Sequence, residues 1–333
     1  LVERAQGVHA TINVAPSLME QLAAYGAGTA RESYAALTLR DASELTEGDK
    51  FFLLGKFFQL SPAHMLSPYP RYRELFQRRG APDRQGRYAD GLRMYATQDY
   101  RDLQMWYNLT WCGQELRRDP EIARFLERGR GFTETDKKRL LEIQYAFIGR
   151  ILPLYRKLAE SQKVEVSVSP YYHPILPLLC DLRCAREALP SLPLPPDPFG
   201  FPEDARQHIV RALRYYFDFF RTDARGMWPS EGAISNAALT LAREGGLRWL
   251  ASDEIVLWHS IRKEEPGIAS LPPGRKYCAY LWGKGEAGPC LFFRDHALSD
   301  LFGFAYHQWS AGDAVADFLR RLRAIHQSLP DDG

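Results

Sequence analysis

The segment Gly226-Met227-Trp228-Pro229-Ser230-Glu231-Gly232, a helix-length run, and then Trp249-Leu250-Ala251-Ser252-Asp253-Glu254 constrain the fold more than any other part of the chain. Between the two blocks, Ile234 to Arg243 is rich in helix formers, and Gly245-Gly246 is a helix stop. The order strand, helix, strand predicts a parallel βαβ crossover with a carboxylate at the C-terminal end of each strand. Neighbouring parallel strands lie roughly 4.8 Å apart. Glu231 and Asp253 could therefore approach the separation of about 5 to 5.5 Å that a retaining glycosidase needs.

Other strands are predicted at Val8–Val14, at Val164–Pro170, where apolar and polar residues alternate, and at Cys290–Asp295. About 31–160 reads as a long helical excursion. Thr46 to Asp49 and Thr133 to Asp136 have the pattern of capping boxes. Leu140, Ile143, Phe147, Ile151, Leu154 and Leu158 form one apolar stripe, with a kink expected at Pro153. The Gly- and Pro-rich stretch 266–288 is either an active-site loop or a small hairpin. Five strands with polar C-terminal ends predict a parallel α/β barrel. Five cannot close one, so strands are missing or unread.

A net charge of +2, from 43 basic and 41 acidic residues, supplies no field to hold a phosphate backbone. Nucleic acid is therefore not an expected partner. No apolar run is long enough to span a bilayer, so no membrane partner is expected either. Leu1-Val2-Glu3-Arg4-Ala5 resembles neither a signal peptide nor a translation start, and the chain is expected to begin inside a longer gene product. Five scattered cysteines argue against a disulfide framework and for a reducing, cytoplasmic location. Cys180 and Cys184 could share a helix face, but nothing nearby completes a zinc site. No metal or cofactor is expected, and oligomeric state is not legible.

Four blocks resemble conserved regions of glycoside hydrolase family 57, the family of α-amylases, amylopullulanases and 4-α-glucanotransferases. They are Val164 to Leu178, Gly226 to Glu231, Ala251 to Glu254, and Phe293 to Asp300; Asn13 to Leu18 and Pro70-Arg71-Tyr72 match weaker landmarks. The resemblance implies an irregular (β/α)7-type parallel barrel, incomplete in this chain, with residues 1–333 forming one catalytic segment interrupted by the helical excursion. The family's His-Gln-Pro strand would lie upstream of Leu1, and its Asp-Gly-Glu-Asn strand beyond Gly333. Ser161-Gln162-Lys163 stands where a glycine-containing turn is usual.

The resemblance also implies roles. Glu231 would be the nucleophile and Asp253 the general acid and base, acting on an α-glucan or maltooligosaccharide. From spacing alone, Glu231 is equally a helix N-terminal acid and Asp253 a strand-end cap. The acid role would require the pKa of Asp253 to lie above that of the nucleophile. Glu165 would touch the sugar at the cleavage point, or else pair with an arginine. His173 and Trp228 would supply a hydrogen bond and a stacking surface, though single residues of these types are more often simply packed. Arg294, Asp295 and Asp300 could hold sugar hydroxyls, or Arg294 and Asp295 could be a structural pair. The expected activity is retaining hydrolysis. Its alternatives are 4-α-glucan transfer, branching, or non-catalytic glucan binding. A metal-dependent deacetylase is disfavoured because no two histidines lie close together in the sequence.

Overall fold

The computed structural model describes residues 2–283 and 288–329. The chain separates into two compact units, Leu1–Glu20 with Tyr155–Gly333, and Gln21–Leu154.

The first unit is built on a six-stranded open sheet: β1 (Ala10–Val14), β2 (Val164–Val168), β3 (Gly226–Met227), β4 (Trp249–Asp253), β5 (Tyr280–Leu281) and β6 (Cys290–Arg294). The spatial order is β1-β2-β3-β4-β6-β5. Every pairing is parallel except β5 with β6. The sheet thus has the mostly parallel, unclosed form expected of an incomplete barrel. β5 is the strand that the sequence did not announce as such. It pairs Tyr280 with Leu291 and Leu281 with Cys290, so the hairpin reading holds for the C-terminal part of this stretch; 284–287 lie outside the described residues.

The period-two alternation sorts the side chains. Register places Ile12 beside Val166, Val14 beside Val168 and Leu250 beside Leu291. Val14, Val166, Val168, Leu250 and Leu291 are all buried, and the helices Pro202–Phe220 and Glu254–Glu264 pack against these strands. Register on the other face places Thr11 beside Glu165, Asn13 beside Ser167, Ala251 beside Phe292, and Asp253 beside Arg294.

The second unit is helical and carries its own aromatic core. Phe57, Tyr72, Trp106 and Phe132 are fully buried among Leu53, Leu54, Leu75 and Leu103. Both capping boxes are present: the Thr46 and Thr133 hydroxyls accept from the Asp49 and Asp136 N–H groups, whose carboxylates accept in return from the cap N–H groups. The single apolar stripe expected across Pro153 is instead two helices, Glu134–Ile148 and Ile151–Glu160. Two causes meet at the break. Pro153 offers no N–H to the Gly149 carbonyl, and Gly26 packs so closely that a Cβ on it would lie 2.8 Å from Gly149 Cα.

This unit also buries charge. Arg71 Nη2 donates to Asp99 at 2.6 Å and Arg71 Nε to Asp102 at 2.9 Å, while Arg78 also reaches Asp99, at 2.9 Å. Lys137 is fully buried and donates to the Gln104 side chain and the Arg40 carbonyl, both at 2.7 Å.

Candidate active site

Glu231 follows β3 in a short turn, Ser230–Gly232, and takes a left-handed backbone conformation (φ 57°, ψ 18°) that a side chain with a Cβ seldom adopts. The turn is pinned to the end of β4, because the Ser252 hydroxyl donates to the Gly232 carbonyl at 2.6 Å. A Cβ on Gly232 would lie 3.1 Å from the Trp228 ring and 3.6 Å from the Asp253 nitrogen. Glu231 and Asp253 are thereby carried on touching backbone at one rim of the sheet. The Glu231 side chain is 78% exposed, and His173 Nε2 stands 4.0 Å from its Oε1. His173 is itself left-handed, with φ 59°. Such conformations cost on the order of 1 to 3 kcal/mol each and gather where function requires them. Helix capping does not explain Glu231: the following helix, Asn236–Glu244, is capped by Ser235, whose hydroxyl accepts from the Ala238 N–H.

Asp253 ends β4 and has two functions at once. Its Oδ1 accepts from the Ile255 N–H at 2.9 Å, capping the helix Glu254–Glu264, so the capping reading is real. Its Oδ2 accepts from Arg294 Nε at 2.8 Å and lies 2.9 Å from His296 Nδ1. Burial pushes this carboxyl up, but the hydrogen bonds from His296, the Ile255 N–H and Arg294 outweigh it and hold its pKa below the usual value. That direction is opposite to the one an isolated acid catalyst needs. The hydrogen bond to Asp253 and the charge of that carboxylate push the His296 imidazole up, against burial and the Arg294 charge.

The other sequence-singled residues divide. Glu165 Oε1 accepts from the Trp249 indole N–H at 2.8 Å, so its partner is a tryptophan where an arginine was the structural alternative. The Trp228 ring lies 5.8 Å from the Arg294 guanidinium. Asp300 Oδ2 is 3.2 Å from His296 Nε2. Asp295 caps the helix His296–Asp300 and accepts from Lys276 at 2.7 Å and Tyr277 at 2.6 Å. Glu254 bridges Lys276 and the His296 backbone N–H.

Beside the rim is a cavity of about 480 Å³ lined by Asn13, Glu165, Ser167, Trp228, Trp249 and Phe292, among others. Neither carboxylate lines it; Asp253 lies two residues beyond Ala251 of its wall, and Glu231 three beyond Trp228. A larger cleft, of about 990 Å³, opens beneath Asp223, Arg225 and Arg248 at the opposite ends of the strands and includes neither Glu231 nor Asp253.

Two residues of this site were missed in the sequence. Trp249 opens β4, and its indole lies across Gly226, where a Cβ would fall 1.8 Å from the ring. A glycine opposite a tryptophan on a parallel strand is the signal that could have revealed it. The substitution Gly226→Ala is expected to displace the indole, break its bond to Glu165 and destabilise the unit by about 1 to 3 kcal/mol. A changed tryptophan near-UV circular dichroism signal and a lowered unfolding midpoint would show it. His296 is the other, inside the block Phe293 to Asp300. Its ring lies between Asp300, four residues further along the same segment, and Asp253, which reaches it only because β4 and β6 are neighbours.

The sheet thus carries Glu231 and Asp253 at one rim, beside a cavity lined by aromatic rings. A sequence profile of glycosyl hydrolase family 57 matches residues 56–332, and the chain belongs to that family. Comparison with curated protein sequences gives no match. Among solved structures, the chain is similar to the α-amylase AmyC from Thermotoga maritima, with 12% identity over 88% of this chain and 46% of that one and a TM-score of 0.37. It is also similar to a family 57 branching enzyme from Thermococcus kodakaraensis, at 16% over 91% and 48%, and to a 4-α-glucanotransferase from Thermococcus litoralis, at 18% over 58% and 24%; both TM-scores are 0.36. The chain thus spans about half the length of the first two. At these levels of likeness, residue roles rest on this chain's own geometry. Among the described residues, no helix is long and apolar enough to cross a membrane, and no group of three His, Cys, Asp or Glu is arranged to hold a metal ion.

Proposed function

We propose that this chain carries the catalytic rim of a retaining α-glucan-active glycoside hydrolase. Glu231 attacks the anomeric carbon, and Asp253 protonates the departing glycosidic oxygen. A covalent glycosyl intermediate forms on Glu231, and Asp253 then takes a proton from the water that releases it. The observation that carries this reading is the exposed, left-handed Glu231, held on the backbone of Asp253 by Ser252 without capping any helix. Trp228, Trp249 and Phe292 supply apolar ring faces beside the rim, and Glu165 and Asn13 supply polar groups between them, the mixture that a sugar's two faces require.

The test is product analysis on amylose, pullulan and maltotriose, with the anomer followed by proton NMR before mutarotation. Shorter maltooligosaccharides of α configuration are expected. Longer oligosaccharides formed from maltotriose would make glucan transfer the principal activity. A β-configured product would exclude the retaining mechanism, and saccharide binding without any turnover would make the chain a glucan-binding protein.

A further inference from the structure

Asp253 is poorly suited to deliver a proton by itself. Its Oδ2 takes two donors, the Arg294 guanidinium at 2.8 Å and His296 Nδ1 at 2.9 Å, and a carboxylate so held stays ionised. The proton it lacks lies one hydrogen bond away. His296 has a carboxylate oxygen at each ring nitrogen, Asp253 at Nδ1 and Asp300 at Nε2, 3.2 Å distant. An imidazole satisfies two carboxylates only when both nitrogens donate, that is, as imidazolium. The ring's position is fixed from behind, because the His296 N–H donates to Glu254 Oε1 at 2.6 Å and Glu254 is itself held by Lys276. The charged groups around the ring are therefore Asp253 and Glu254 from β4 and the helix after it, Lys276 from the short helix before β5, and Arg294, Asp295 and Asp300 from β6 and beyond.

We propose that His296 is the proton reservoir for Asp253, a positioning and relay residue that never touches the glucan; this rests on the reading of Asp253 as the acid and base. As the glycosidic bond breaks, the Nδ1 proton moves to Asp253 Oδ2 and on to the leaving oxygen, while a Glu231 oxygen bonds to the anomeric carbon. His296 is left neutral, with Nε2–H still donated to Asp300. In the second half, water bonds to the anomeric carbon, its proton passes through Asp253 back to His296 Nδ1, and the bond to Glu231 breaks. Protons and charges balance over the cycle, and no further reactant is needed.

The sign of the pH dependence follows. Turnover requires protonated His296, whose pKa is raised by Asp253 and, less, by Asp300. Activity is thus present below that raised pKa and lost as pH rises through it. In His296→Gln, kcat/KM on maltooligosaccharides at neutral pH is expected to fall roughly 100-fold or more, and the alkaline limb of the profile moves to lower pH. Asp300→Asn keeps the ring and removes one anchor, so its limb moves the same way by less. On α-maltosyl fluoride, whose leaving group needs no proton, His296→Gln is expected to stay within a few-fold of wild type.

An unchanged alkaline limb in His296→Gln would overturn the proposal, as would equal losses on both substrates, which indicate a packing defect. Asp253→Asn, measured alongside, separates the two levels. If it turns over glucan at the wild-type rate, the reading of Asp253 itself fails. If it is inactive on glucan while His296→Gln keeps the wild-type profile, only the relay fails.

Discussion

Glutamine in place of Glu231 is expected to lower kcat on maltooligosaccharides by roughly four orders of magnitude or more, the scale on which nucleophile replacements act. Glutamine keeps the size and removes the attacking charge, so no covalent intermediate can form. Folding is expected to survive, because the side chain is 78% exposed and caps no helix; surface changes of this kind stay within about 0.5 kcal/mol. A sharper companion is Glu231→Gly. Glycine occupies φ near 57° without a Cβ penalty, so this variant is expected to gain about 1 kcal/mol while losing turnover. Steady-state kinetics and thermal unfolding on the same preparations check both. A Glu231→Gln enzyme with wild-type turnover would remove Glu231 from the mechanism, and a Glu231→Gly protein less stable than wild type would remove the strain.

The second large effect is on stability and belongs to the helical unit. Arg71→Met is expected to cost about 3 to 5 kcal/mol, because it leaves Asp99 and Asp102 buried without their principal counter-charge. The penalty has a pH signature. Burial pushes the Asp99 carboxyl up, but the Ala96 N–H, Arg71 and Arg78 outweigh burial and hold it below its ordinary value. A carboxyl depressed in the folded state contributes stability that is present above its unfolded pKa of about 3.9 and lost as pH falls through the folded value. The gap between wild type and Arg71→Met is therefore expected to be widest near neutrality and to narrow below about pH 4. Urea unfolding at several pH values measures it. A neutral-pH penalty below about 1 kcal/mol would show that the network is replaceable by apolar packing.

What could be read in advance was what depends on nearby sequence. The alternation of Val164 to Val168 gave β2 and its faces, and the Thr46 and Thr133 boxes gave two helix starts, because capping and pleat act within four residues. Glu231 and Asp253 were recognisable as strand-end acids for the same reason. What escaped depends on register and distant contacts. The indole of Trp249 needs Gly226 beneath it and Glu165 from β2. His296 gains its meaning from Asp253, which reaches it only because β4 lies beside β6. The left-handed backbone of Glu231 has no local signature, since glycine follows it rather than occupying its position. β5 is only two residues long, too short for any period to show.

The most direct test traps the intermediate. The protein carrying this chain is incubated with a 5-fluoro-α-glucosyl fluoride, which slows release from the enzyme, then digested, and the peptides are weighed and fragmented by mass spectrometry. One fluoroglucosyl group on the carboxylate of Glu231 is the expected result, absent from Glu231→Gln. Label on a different side chain, or steady release of fluoride with no covalent species at any time, would contradict the account.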